Sequence, residues 1–171
     1  MDADDKFERV KRKPLPPCVI REMVPSDRDL IFGTYLKHGH NCYAFRNMTR
    51  PAFANYGARL LEQLLERSTT FVAEAKEGGE LLGYAIAERP FKRVEHVVLH
   101  FAYVKAEYRM NRLCSKFLEV VRGITPAKAT IFATHMNPTW WILTRVIPNI
   151  YNPFLLFPEF QTDRKDIDHA I

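Results

Sequence analysis

The chain lacks any apolar run approaching the roughly 20 residues that a membrane-spanning helix needs, so no membrane partner is expected. Its opening stretch, MDADDKFERVKRK, is strongly charged and has no apolar core. A secretory signal is therefore not expected there, and cytoplasmic synthesis without export is. Cysteine is scarce: Cys18, Cys42 and Cys114 make an odd count and share no CxxC spacing. That argues against a disulfide framework and for reduced thiols inside a cell. The six histidines are not spaced as a structural zinc site. His38, His40 and Cys42, in HGHNC, come nearest to one, and no metal is expected. The balance is basic, +5 overall with a pI of 9.2. No aromatic-interleaved basic motif or nucleic-acid-binding signature accompanies it, so nucleic acid is not the expected partner. An anionic cofactor or an acidic protein surface stays compatible with the charge.

What is there is one domain's worth of chain: 171 residues, 47% hydrophobic and 26% charged, ordinary for a soluble globular protein. Three parts are expected: a basic, proline-rich arm over residues 1–16, a domain over 17–158 and a tail over 159–171. The arm sets Lys6, Arg9, Lys11, Arg12 and Lys13 ahead of Pro14, Pro16 and Pro17. It reads as an extended segment, either a leader or a strap that docks on a neighbouring chain. There is no internal repeat.

CVIREMVP alternates as a strand that Pro25 ends, and Ser26 is placed to cap a helix carrying Leu30, Ile31 and Tyr35 up to Gly39. Pro51 lies in the first turn of a second helix, where Phe53, Tyr56, Leu60, Leu61, Leu64 and Leu65 recur at helical spacing. TTFVAEA and LLGYAIAE flank Gly78-Gly79 as a hairpin. HVVLHFAYV is the longest strand-like run, and the helix after it places Leu113, Phe117, Val120 and Val121 on one face. ATIFATH reads as another strand, PTWWILTRV as a short helix from Pro138, and NIYNPFLLF as a closing strand bulged at Pro153. The order is β-α-α-β-β-β-α-β-α-β, an α/β or α+β domain.

The most informative stretch is VKAEYRMNRLCSKFLEVV, residues 104–121, where the long strand runs into a helix. Lys105, Arg109, Asn111, Arg112, Ser115 and Lys116 crowd the junction. A helix start exposes unpaired N–H donors and the positive end of a dipole, so a phosphate sits there favourably. Yet the stretch contains no glycine, the residue that lets a phosphate approach the backbone closely.

That junction and the element order, with VIREMVPSDRDL near the front and HFAYVKAEYRMNRLCSKFLEVV in the middle, resemble the GCN5-related N-acetyltransferase superfamily over residues 18 to about 157. The resemblance implies a mixed, mostly antiparallel central sheet flanked by helices, with acetyl-CoA as cofactor. It further implies that a motif [Q/R]-x-x-G-x-[G/A] holds the pyrophosphate through backbone N–H groups. Arg109 fits its first place, but Arg112 stands at the glycine position and Cys114 at the glycine-or-alanine position. The cofactor residues carried over are Arg109, Met110, Asn111, Arg112, Leu113, Cys114 and Ser115, with Ala102, Tyr103 and Val104 offering backbone to the pantetheine where two strands part. Asn137 fits a cofactor-contacting asparagine. The tyrosine that would protonate the leaving thiolate falls at Thr144 or Arg145, neither suited to the role.

The family's base position falls at Val98, which cannot act; His96 and His100 flank it on the same strand face and are the catalytic candidates. Glu95 faces the other way, and His135 on the next strand could reach the cleft. Both strand histidines also fit a purely structural, hydrogen-bonded role. Two readings of function result. One is an acetyl-CoA-dependent N-acetyltransferase acting on an unknown amine acceptor. The other is a catalytically silent module without a cofactor, contacting a protein assembly through the arm and similar to divergent members carried by tailed bacteriophages, some within the virion. Fold alone does not choose between them.

Overall fold

A computed structural model describes residues 11–88, 96–123, 130–136 and 149–157. In chain order its elements are β1 (Cys18–Glu22), α1 (Arg28–His38), α2 (Arg50–Arg67), β2 (Thr69–Ala75), β3 (Leu81–Glu88), β4 (His96–Val104), α3 (Leu113–Gly123), β5 (Thr130–Ala133) and β6 (Asn149–Tyr151). The six strands form one sheet in the order β1-β2-β3-β4-β5-β6. The first four pair antiparallel, while β4–β5 and β5–β6 pair parallel. This is the mixed, mostly antiparallel sheet expected from the resemblance.

The sheet separates two cores. On one face Val97, Leu99, Leu113, Phe117 and Val121 pack with Ile131 beneath α3. On the other, Ile31 and Tyr35 of α1 and Phe53, Leu61 and Leu64 of α2 cover Val72, Tyr84, Ile86 and Phe101. Each such fully buried side chain stabilises the fold by about 1.5–3 kcal/mol relative to exposure. The β2–β3 hairpin turns through Gly78 at φ 79° and Gly79 at φ 64°, left-handed conformations that explain glycine at both positions.

Three expectations need correction. The first strand stops at Glu22, and α1 opens at Arg28 after a short 3₁₀ turn, Pro25–Asp27, instead of at a Ser26 cap. The cause is Asp27, which is buried and bound elsewhere: its carboxylate accepts from the Val24 N–H at 2.8 Å and from the Arg21 guanidinium at 2.7 and 3.1 Å. Arg21 holds the Asp27 carboxyl below its usual range. Second, NIYNPFLLF is strand only over Asn149–Tyr151. Asn152 then caps a 3₁₀ turn, accepting from the Phe154 N–H at 3.1 Å, because proline cannot donate to a ladder. Third, strict alternation fails in β4. Leu99 faces Ala87 and Phe101 faces Ile86, so His100 is an extra, bulged residue. Leu99 therefore lies in the α3 core and Phe101 in the α1–α2 core. The helix expected from Pro138, with Trp140 and Trp141, lies outside the described residues.

The described end of the basic arm lies on its own domain. Lys13 N–H donates to the Glu107 carbonyl at 2.8 Å, Lys76 N–H donates to the Pro17 carbonyl at 2.9 Å, and Leu15 packs against the α3 core.

Candidate functional site

The bulge at His100 is where β4 and β5 part. Their parallel ladder covers His96–Leu99 against Thr130–Ala133, and Thr134 N–H still donates to the Leu99 carbonyl at 3.2 Å. Beyond that point β4 runs on to Val104 without β5 beside it. Lys105 N–H donates back to Leu82 in β3 at 2.9 Å. By the two-residue period of a strand, the N–H and C=O of Tyr103 also face β3, and those of Ala102 and Val104 face the gap. The fork thus offers the backbone of two of the three expected residues. Tyr103 is the exception: its backbone pairs with β3 opposite Tyr84, and its ring lies 5.3 Å from His38.

At the mouth of the fork, Arg109 Nε donates to the Val104 carbonyl at 3.0 Å. The chain then turns into α3 through Met110 at φ 69° and Arg112 at φ 60°. Both conformations are ones glycine adopts freely and other residues adopt at a cost of about 1–2 kcal/mol. The turn therefore has glycine geometry without glycine, and successive N–H groups in such a turn form an anion-binding concavity. Asn111 is committed elsewhere. Its amide donates to the Lys13 carbonyl at 2.8 Å and the Tyr108 carbonyl at 3.3 Å, tying the arm to the turn. Met110 and Arg112 are exposed, Leu113 is buried core, and Cys114 and Ser115 are half-buried. Burial pushes the Cys114 thiol above its ordinary range. Asn137, Thr144, Arg145 and Glu95 lie outside the described residues. Because Arg112 is held in a left-handed conformation, Arg112→Gly is expected to leave stability unchanged or raise it by up to about 1 kcal/mol, the strain outweighing the entropy of glycine. Urea denaturation measures this; a clear loss would mean that the guanidinium makes contacts that outweigh the strain.

Behind the fork lies a feature that sequence spacing does not reveal. His100 is fully buried; its Nε2 lies 2.7 Å from Glu88 Oε2 and its Nδ1 3.1 Å from Thr134 Oγ1. Thr134 Oγ1 lies 3.0 Å from His135 Nδ1, and His135 Nε2 lies 2.8 Å from the Tyr35 hydroxyl. Arg67 of α2 forms an ion pair with the same carboxylate, its Nε 3.1 Å from Glu88 Oε2. Burial depresses the basicity of both histidines, that of His135 to about 3 with the neighbouring His100 adding to the effect. Burial likewise raises the Tyr35 hydroxyl far above its ordinary value. His96, by contrast, sits at the closed end of β4 opposite Thr130, its ring edge-on to Phe132 at 5.1 Å. The structure thus brings His100 and His135 together and leaves His96 apart. Tyr35, Glu88 and Thr134 carry no chemical signal in the sequence, because on apolar helix and strand patterns they read as ordinary packing positions.

The HGHNC stretch does not converge on one point. His40 Nε2 meets the Met48 carbonyl at 2.7 Å, His38 stacks on Tyr103, and Cys42 is buried with its thiol pushed up to about 12. Among the described residues no group of three or more His, Cys, Asp or Glu side chains is placed to hold a metal, and no helix is long and apolar enough to cross a membrane.

No protein-family model matches the chain, and no curated protein sequence matches it. Solved structures do. A Pyrococcus furiosus protein provisionally named an acetyl transferase superposes with a TM-score of 0.58 at 18% identity, over 77% of this chain and 93% of that one. A GCN5-related N-acetyltransferase from Rhodopseudomonas palustris superposes with a TM-score of 0.53 at 16% identity, over 78% of this chain and 82% of that one. Together with the parted strands and the left-handed turn into α3, these likenesses show that the chain has the fold of the GCN5-related N-acetyltransferases.

Proposed function

We propose that this protein binds an acyl-CoA in the fork between β4 and β5 and passes the acyl group to an amine. The observation that carries the reading is the bulge at His100, which ends the β4–β5 ladder and turns the backbone of Ala102 and Val104 toward the gap, directly ahead of the left-handed turn into α3. The Ala102 and Val104 backbone suits the pantetheine amides, which would add to β4 as a further strand does. The N–H groups of the turn from Met110 to Ser115, with Arg109 and Arg112, suit the phosphates. Retained turn geometry at Met110 and Arg112 supports a cradle despite the absent glycines. The cofactor would supply an acyl group activated as a thioester. The protein would hold the acceptor against α1 and α2, orient its nitrogen and take up its proton. Acetyl is the acyl group the resemblance favours.

Thermal melting tests this. With acetyl-CoA or CoA at about 100 times its dissociation constant, ligation contributes about 2.7 kcal/mol. At this chain length that raises the melting temperature by roughly 5–11 °C. A melting temperature unmoved by millimolar CoA would defeat the reading. A shift without acetyl transfer to any amine would leave a binding module.

A further inference from the structure

The buried chain from Tyr35 to Glu88 runs in one direction only. Tyr35 is fully buried, and His135 Nε2 is its hydroxyl's sole hydrogen-bond partner among the described residues. A buried hydroxyl that donates to nothing is costly, so Tyr35 donates and His135 Nε2 accepts. Neutral His135 then carries its hydrogen on Nδ1 and donates to Thr134 Oγ1, 3.0 Å away. Thr134 has one hydrogen left to give, to His100 Nδ1 at 3.1 Å or the His100 carbonyl at 3.3 Å. At the far end, the carboxylate of Glu88, beside the Arg67 guanidinium, accepts from His100 Nε2. That leaves His100 Nδ1 without a hydrogen and draws the Thr134 hydrogen to it. Reasoning from either end therefore gives the same arrangement, with every hydrogen aimed at Glu88.

We propose that Tyr35, His135, Thr134 and His100 form a proton relay, oriented at rest to deliver a proton from the α1 side of the fork to Glu88. The assignment rests on the acyl-transfer reading. A proton released by an acceptor ammonium enters at Tyr35 Oη, the buried end of the chain, as the tyrosine proton passes to His135 Nε2. The His135 Nδ1 proton passes to Thr134 Oγ1, the Thr134 proton to His100 Nδ1, and the His100 Nε2 proton to Glu88 Oε2. One proton enters and one arrives; Glu88 becomes neutral, the amine is freed to attack, and no charge stays on the intermediate groups. Return of the proton resets both tautomers. Tyr35 and the histidines are relay groups and need no contact with the acceptor.

Nitrogen-15 NMR of the histidine rings in the full chain tests the direction. At neutral pH the relay requires a neutral His135 with hydrogen on Nδ1 and a neutral His100 with hydrogen on Nε2. An imidazolium at either position, or hydrogen on His135 Nε2, overturns it. Thr134→Val tests the transfer, since it keeps the side-chain shape and removes the hydroxyl. Acetyl transfer should fall by about 100-fold, the scale of lost acid–base assistance, with CoA affinity unchanged and Thr134→Ser restoring the rate. Unchanged turnover in a CoA-binding Thr134→Val protein overturns the relay and leaves acyl transfer standing. If the unaltered protein binds no CoA, acyl transfer fails and proton delivery fails with it, while the tautomers still decide the direction of the chain.

Discussion

Lowering the pH from 6.5 to 4.5 is expected to cost this protein at least about 2 kcal/mol of folding stability, the slope approaching about 1.4 kcal/mol per pH unit for each proton taken up on unfolding. In the folded protein His135 stays neutral until the pH falls to about 3, whereas in the unfolded chain the same side chain charges near 6.5. The unfolded state therefore binds more protons throughout that window, and stability falls as the pH falls. His100 is depressed by burial in the same direction, and half-buried His38 likewise, with Arg109 and Lys37 adding to its shift. The ion-paired carboxylates act lower. Asp27 beside Arg21 and Glu80 beside Lys105 are held below ordinary values of 3.8 and 4.5, so their contributions are lost only beneath the window. Among these groups, the range from 6.5 to 4.5 thus selects the histidines. Carried on to pH 3, His135 alone is worth roughly 4 kcal/mol, a large share of the 5–15 kcal/mol that a domain of this kind holds. Urea unfolding at half-unit steps measures the slope. A stability that is flat between pH 6.5 and 4.5 would show that the two buried histidines are already charged in the native state.

Gly83→Ala is expected to lower the melting temperature by roughly 6–12 °C, corresponding to about 3 kcal/mol of overpacking in a chain of this length. At Gly83 the backbones of β3 and β4 cross too closely for a side chain. An added Cβ would collide with the Tyr103 carbonyl oxygen and approach Val104 Cα at 3.2 Å. The obstacle is neighbouring backbone, which cannot rotate away as the end of a long side chain can. Relief would require β3 to move off β4 where Tyr103 and Val104 lead into the fork, so CoA affinity should fall along with stability. Gly33 offers the control, since nothing lies within 4 Å of a Cβ there and it occupies an ordinary helical position in α1. Gly33→Ala should leave the melting temperature unchanged or raise it. Equal melting temperatures for the two variants would mean that the strand crossing is looser than these distances imply.

Much of the fold can be read along the chain because its signals are local. TTFVAEA, LLGYAIAE and HVVLHFAYV form β2, β3 and β4 over the same residues that the patterns mark. Leu60, Leu61 and Leu64 are buried on the face that their spacing selects. Local pattern misleads where a distant partner intervenes. Ser26 has the chemistry of a helix cap, but Arg21 and the Val24 N–H claim Asp27 and move the start of α1 to Arg28. At Arg112 the residue type argues against a glycine-like turn, whereas the backbone adopts one.

By itself the sequence determined the order of elements, the hairpin at Gly78-Gly79, the amphipathic faces and the strand-to-helix junction with its cations. These follow from periodicity and from the preferences of single residues, which act over a few positions. Only the tertiary structure decided that His100 is bulged out of register, that the bulge parts β4 from β5, and that Lys13 ties the arm to the turn into α3. It alone joined Tyr35, His135, Thr134, His100 and Glu88, residues up to 100 positions apart. The physical reason is that a buried hydrogen-bonding group must find a partner wherever packing places one, and packing brings together residues whose separation along the chain carries no information about their distance in space.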